Sequence, residues 1–111
     1  MKAALFEVDS WAGHEVYIIE GDTASDILVK FAQLQELDSL ISFGRDLGSR
    51  TDQKPLDVLE KLLDKCYSGR LTMRELKYLH VNVSAGEVKC SGIAETDEEV
   101  DKLYDDNPDA H

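Results

Sequence analysis

The period of the apolar residues changes along the chain, and this change constrains the fold more than any single motif. Apolar and polar side chains alternate over about 3–14 and again over 14–20, with Ser10–Gly13 at the junction. Alternation with period two is typical of strands, so these stretches predict an antiparallel hairpin. Both faces of the second stretch are apolar, which predicts a central strand covered on both sides.

A helical period follows the hairpin. Apolar residues recur at spacings of three and four, and this pattern predicts amphipathic helices over about 24–37, 55–67 and 72–79. Thr23 and Thr72 stand at the predicted N-cap positions of the first and third helices, where a hydroxyl accepts a bond from a free backbone N–H. Pro55 stands at the start of the second helix, where its missing N–H costs nothing.

The segment between the first two helices is less certain. Residues 40–43 fit either a continued helix or a short strand, since short apolar runs are ambiguous. The residues from Phe43 to Lys54 contain two glycines and many polar side chains, which predicts a loop. Arg45 and Arg50 in that loop fit an anion or partner contact, but an ordinary surface loop is the preferred interpretation.

Period two returns near the end of the chain. The stretches 79–83 and 88–91 predict a second hairpin, which Gly92 is expected to end. Hairpins at both ends of the chain with helices between them predict an α+β fold. The expected architecture is a single small domain whose antiparallel hairpins pack against amphipathic helices.

The last seventeen residues are strongly acidic. The segment 95–111 has eight carboxylates and one lysine, Lys102, and so provides −7 of the total charge of −11. Thr96 can cap a short amphipathic helix with Val100, Leu103 and Tyr104 on one side. We therefore divide the chain into a globular domain, 1–94, and an acidic C-terminal segment, 95–111, whose helix is followed by a frayed end.

Charge and hydropathy exclude several classes of function. An acidic chain repels nucleic-acid phosphates, so direct nucleic-acid binding is not expected. No apolar run approaches the ~20 residues of a membrane span. Glu7 and Asp9 interrupt the apolar start too early for a secretion signal, so the expected compartment is the cytoplasm.

No catalytic or metal-binding motif is present. The histidines are scattered, and Cys66 and Cys90 have no partner at ligand spacing, so we expect neither a metal nor a cofactor. Both cysteines fit buried apolar positions better than a disulfide or a nucleophile. We therefore expect no enzymatic activity.

The charge pattern instead favours protein binding. Spaced carboxylates can mimic a nucleic-acid backbone and occupy a basic surface of a nucleic-acid-handling protein, as in phage-encoded inhibitors and bacterial immunity proteins. Tyr104 and Trp11 are candidate aromatic anchors, although Trp11 also fits a position folded back over the hairpin edge. The predicted partner-binding residues are Glu98, Glu99, Asp101, Tyr104, Asp105, Asp106 and Trp11.

Three alternatives stay open. The hairpin followed by short amphipathic helices, from Glu15 through Leu79, resembles the small assembly chaperones of phage tails, which implies a client segment bound on an apolar helix face such as Leu56–Cys66. A small enzyme with an unrecognised site is the second alternative. The third is a homo-oligomer that pairs through a strand edge such as Val88–Cys90.

Overall fold

The computed structural model describes residues 1–48, 52–83 and 86–111, and of Val83 it describes the backbone alone. Within these ranges the chain is an α+β domain, as predicted. Four strands and five helices follow one another in the order β1 Lys2–Ser10, β2 Gly13–Gly21, α1 Ala24–Leu34, α2 Leu37–Leu47, α3 Gln53–Tyr67, α4 Met73–Leu76, β3 His80–Val83, β4 Gly86–Ala94 and α5 Asp97–Asp106.

The strands form one antiparallel sheet in the order β2-β1-β4-β3. Both predicted hairpins are confirmed, but the prediction that β2 lies centrally is wrong, because β2 is an edge strand. Its two faces are apolar for another reason. Tyr17 and Ile19 pack on the side of α1, whereas Ile18 packs on the side of α5, so helices cover both faces at this edge.

β4 is longer than the sequence predicts. It continues through Gly92 to Ala94, and its register with β1 shifts so that Phe6 pairs with Cys90 and Leu5 with Gly92. The extra residue forms a bulge, which bends the strand without ending it. Because β4 lies between β1 and β3, Val88–Cys90 is not a free edge, and the predicted oligomer contact at that edge is wrong.

The ambiguous segment 40–43 is helical. Glu36 has a left-handed backbone (φ 50°) that separates α1 from α2. The predicted loop is wrong as far as Leu47, because Gly44 serves helix packing rather than a turn. A Cβ at Gly44 would lie 2.6 Å from Cδ1 of Leu56, so the glycine allows α2 to approach α3 closely.

Arg45 links the same two helices. Its guanidinium donates hydrogen bonds to Asp57 at 2.6 Å and Glu60 at 2.8 Å, both on α3, and to the Gln53 side chain at 2.8 Å. These carboxylates raise the pKa of Arg45 above its ordinary value. Its donors are therefore engaged within the fold rather than held out for an anion, and Arg50 lies outside the described residues.

Local signals define the remaining helices well. The predicted capping box of α4 is complete, since Thr72 accepts from the Glu75 N–H and the Glu75 carboxylate accepts from the Thr72 N–H. α3 begins two residues before Pro55, with Asp52 as its N-cap. Pro55 therefore lies within the first turn, where its missing N–H is also tolerated.

The main core lies between the sheet and α1–α4. Phe6 of β1 and Phe31 of α1 are fully buried and stack with ring centroids 3.9 Å apart and planes 8° from parallel. Leucines of α2 and α3 belong to the same core cluster. A smaller cluster on the opposite face of the sheet joins Ala3, Ile18 and Ala94 to Val100 of α5.

Two glycines of β4 provide a matched test of the sheet. A Cβ at Gly86 would overlap the carbonyl oxygen of Asp9 in β1, whereas a Cβ at Gly92 meets nothing closer than 3.8 Å. We expect Gly86→Ala to lower the free energy of unfolding by about 1–3 kcal/mol, because a backbone atom must move. Gly92→Ala should leave stability unchanged or raise it by up to about 1 kcal/mol. Urea unfolding measures both, and equal losses would contradict the close approach at Gly86.

Candidate partner-binding site

The acidic segment contains a well-defined helix. Thr96 caps α5 by accepting from the Glu99 N–H at 3.2 Å, and three carboxylates lie in the first turn, where the helix dipole favours negative charge. All the predicted carboxylates on α5 are exposed to solvent: Glu98, Glu99, Asp101, Asp105 and Asp106. The chain thus displays these charges on a folded helix.

The apolar side of α5 attaches it to the sheet. Val100 is 6% exposed and packs with Ala3, Ile18 and Ala94, and Leu103 lies half-buried against the same cluster. Tyr104 lies at the margin, 41% exposed, where burial and a hydrogen bond to Glu20 raise its pKa. One part of the Tyr104 side chain is therefore buried where α5 meets the sheet, and the rest is accessible to solvent.

The residues after α5 return to the sheet instead of fraying as expected. The His111 N–H donates to the Val16 carbonyl at 2.9 Å, and the Ile18 N–H donates to the His111 carbonyl at 3.2 Å. The His111 ring lies against Tyr17, with centroids 5.1 Å apart. Asp105 and Asp106 belong to α5 itself. The helix is consequently held by its apolar face and by the segment that follows it.

The outer face of α5 has a regular row of charge. Glu98, Asp101 and Asp105 follow one another at spacings of three and four residues, which places them on one side of a helix, away from Val100 and Leu103. α5 has six carboxylates and Lys102 over a length of ~15 Å, or about one net negative charge per 3 Å. A single strand of duplex DNA has about one charge per 3.4 Å, so the two densities are similar.

Trp11 lies at a different end of the molecule. It sits on the β1–β2 turn and is 92% exposed, so it is not folded back over the hairpin edge. Beside it is a depression of about 200 Å³, whose lining includes Leu40 and Val88. α5 packs near Leu5, roughly 20 Å away along the strand, so the structure does not bring Trp11 together with Tyr104 and the acidic row.

The structure also shows a polar cluster that the sequence analysis missed. It lies on the sheet face that α5 leaves open. The His14 ring lies 2.5 Å from the Asp9 carboxylate and 3.5 Å from that of Glu7. The Lys89 ammonium lies 3.7 Å from Glu7. The His80 ring lies 3.3 Å from the Glu87 carboxylate. The alternation of each strand shows which of its residues are polar. It does not show which polar residues of neighbouring strands lie opposite one another, and so the cluster could not be predicted.

In this cluster Lys89 lies 3.7 Å from both Glu7 and Glu87, and the two histidines contact carboxylates. Within the described residues, no group of three or more histidine, cysteine or carboxylate side chains is arranged to hold a metal ion. Its ion pairs are solvent-exposed, and such pairs are worth at most about 1 kcal/mol each. We therefore describe it as the polar surface of the sheet.

Both cysteines are free thiols. Cys66 is buried in the main core and Cys90 is half-buried beside it. Burial raises the pKa of the Cys66 thiol, and it raises the pKa of Cys90 to about 11. Since the thiolate is the reactive form, burial suppresses the reactivity of both side chains at neutral pH.

The apolar stripe of α3 is not available to a client. The predicted chaperone surface comprised Leu56, Leu59, Leu62, Leu63 and Cys66, and all five side chains are buried in the domain's own core. The assembly-chaperone hypothesis therefore loses the surface on which it was based.

Comparison with known proteins identifies no relative: no protein family, no curated protein and no solved structure matches the chain. Among the helices of the described residues, none has the length and apolar character required to cross a bilayer.

The docking of α5 can be tested with two substitutions on opposite sides of the helix. Val100→Ala removes buried methyl groups and should lower the free energy of unfolding by about 1–3 kcal/mol. Glu98→Ala, on the exposed side, should change it by less than about 0.5 kcal/mol. Chemical denaturation compares the two, and equal stability of Val100→Ala and the parent chain would contradict the docked helix.

Cys90 predicts an alkaline loss of stability. The pKa of Cys90 in the folded state, about 11, lies above that of a cysteine in the unfolded chain. The buried neutral thiol therefore contributes its full stabilisation of the folded state below about pH 8.5. This contribution is lost as the pH rises through 11. The free-energy advantage of the parent chain over Cys90→Ala should shrink by roughly 2 kcal/mol across this range. Urea unfolding at about pH 8 and about pH 10.5 measures the change, and a constant difference would refute it.

Proposed function

We propose that the protein acts without catalysis, as a small acidic inhibitor or nucleic-acid mimic that binds a basic surface of a nucleic-acid-handling protein. The observation that supports this proposal is the docked helix α5, which has a row of outward carboxylates and, taken as a whole helix, a net charge per unit length similar to that of a nucleic-acid strand. The proposed role is that of an anti-defence or immunity-type protein in the cytoplasm.

Fixing the charges on a docked helix favours such binding. A disordered acidic tail loses conformational entropy when a partner orders it, at about 1–2 kcal/mol per residue for the backbone. In this structure the His111 backbone pairing and the buried Val100 already hold α5 in place. Less free energy is then lost on association, and complementary charge accelerates encounter.

Aromatic side chains provide the apolar part of the proposed interface. Tyr104 lies next to the acidic row and keeps an accessible surface. Trp11 lies roughly 20 Å away, and a standard interface of about 800 Å² per partner is roughly 30 Å across. A single partner could therefore contact both, with α5 providing charge and Trp11 providing an anchor at the margin.

Charge neutralisation on α5 tests the proposal. The triple variant Glu98→Gln, Asp101→Asn and Asp105→Asn keeps the helix and its apolar face but removes the outward row. Affinity capture from host lysate, with stepwise salt elution, should recover a DNA- or RNA-binding protein with the parent chain and at least about tenfold less of it with the variant. Added duplex DNA or RNA should release the captured protein, because both compete for one basic surface.

A matched control removes the same charge elsewhere. Asp22, Asp46 and Asp64 are exposed and lie outside α5, so their replacement by Asn gives an equal change in net charge. Equal capture by the α5 variant and the parent, or equal losses in the two triple variants, would contradict the proposal. Capture that resists both salt and nucleic acid would also contradict it.

A further inference from the structure

A second surface, on the opposite side of the molecule, has the reverse charge. From Lys54 to Lys77 the chain has six basic and four acidic residues, although the whole protein has a net charge of −11. Two of those carboxylates, Asp57 and Glu60, are already paired with Arg45 of α2. The segment that contains α3 and α4 therefore has a net positive charge in an acidic protein.

A groove between α3 and α4 lies within this region. Val58, Lys61, Leu62 and Lys65 follow one another at helical spacing and form its α3 wall, and Tyr78 with Glu75 forms the other. Its volume is about 470 Å³. Leu62 forms the buried base, whereas Val58 is 42% exposed and Tyr78 is 65% exposed.

One of the two lysines that line this groove is in an ion pair and the other is not. Lys65 pairs with Glu75 across the groove, which lowers the pKa of Glu75. Among the described residues Lys61, the other lysine of the groove wall, has no ion-pair partner. An apolar groove with an unpaired lysine in its wall fits a ligand that presents apolar side chains beside carboxylates.

We propose that this groove, with Val58 and Tyr78 exposed at its rim and Leu62 buried at its base, binds an acidic amphipathic helix of another protein. Apolar side chains of such a helix, spaced by three and four residues, would fill the groove, and its carboxylates would pair with Lys61. α5 of a second copy does not fit, because its own apolar residues, Val100 and Leu103, are engaged with the sheet.

Long-range repulsion does not prevent this association. α5 lies on the other face of the sheet from α3, whereas Lys61 is in the groove wall. At physiological ionic strength the Debye length is about 8 Å, so the distant carboxylates are screened and the adjacent cations are not. The proposal is independent of the acidic helix and its partner.

The test uses a fluorescein-labelled amphipathic peptide of about 16 residues, with leucines at helical spacing flanked by glutamates. A second peptide has glutamine in place of each glutamate. Fluorescence anisotropy with the full chain should show at least about fivefold tighter binding of the glutamate peptide. NMR shift changes should fall at the Val58 and Leu62 methyl groups and at the Tyr78 ring.

Variants connect the binding to the groove. Tyr78→Ala and Lys61→Glu, both at solvent-exposed positions, should each weaken binding of the glutamate peptide at least about fivefold. Lys102→Glu makes the same charge change on α5 and should weaken it less than about twofold. Far-UV circular dichroism confirms that each variant keeps its fold.

Several results would overturn the proposal. Equal affinity for the two peptides would show that the glutamates do not contribute to binding. Equal effects of Lys61→Glu and Lys102→Glu on affinity would show that the peptide does not bind at this groove. Absence of shift changes at Val58 and Tyr78 up to about 1 mM peptide would show that no helix of this chemistry binds. Sedimentation that showed a dimer broken by Tyr78→Ala would assign the groove to a second copy instead.

Discussion

The hydrogen-bonded ladders on both sides of β1 hold the whole molecule together. β1 pairs along its full length with β2 and, through one bulge, with β4. Its alternate side chains enter two different clusters, since Phe6 stacks on Phe31 under α1 while Ala3 and Leu5 lie under α5. Both helical layers therefore depend on the position of this strand, and neither core forms without it.

This arrangement separates the charges of the protein. The sheet lies between α5, with its net negative charge, and the α3–α4 region, with its net positive charge. Opposite charges on one compact chain could pair with each other and neutralise both surfaces. Because the sheet stands between them, each surface keeps its own field, and the two proposed partners have opposite chemistry.

The sequence predicted the elements better than it predicted their arrangement. The helices with a cap and a clear stripe, such as the one begun by Thr72, and both hairpins were identified because those signals are local. Gly44 and Gly92 misled the interpretation, since each was taken as a breaker. In the structure one allows close helix packing and the other lies inside a strand.

The candidate site was likewise predicted where the signals are local and not where they depend on distant contacts. Capping and periodicity predicted the helix α5, and the charge count identified its carboxylates. Neither could show that Trp11 lies at the other end of the sheet, or that His111 returns to β2, because both depend on contacts between distant parts of the chain. The polar cluster around Glu7 was missed because cross-strand register joins residues that no local pattern relates.

The pairing of Ala3 with Ala94 has a consequence for how the chain reaches its native state. β1 receives its second neighbour, β4, only after every element between them has been made, which gives the domain a high contact order and slows folding. During synthesis the edge of β1 that pairs with β4 stays unpaired until β4 emerges. Completion of the fold thus waits for β4, and the first hairpin is the segment most dependent on protection during that interval.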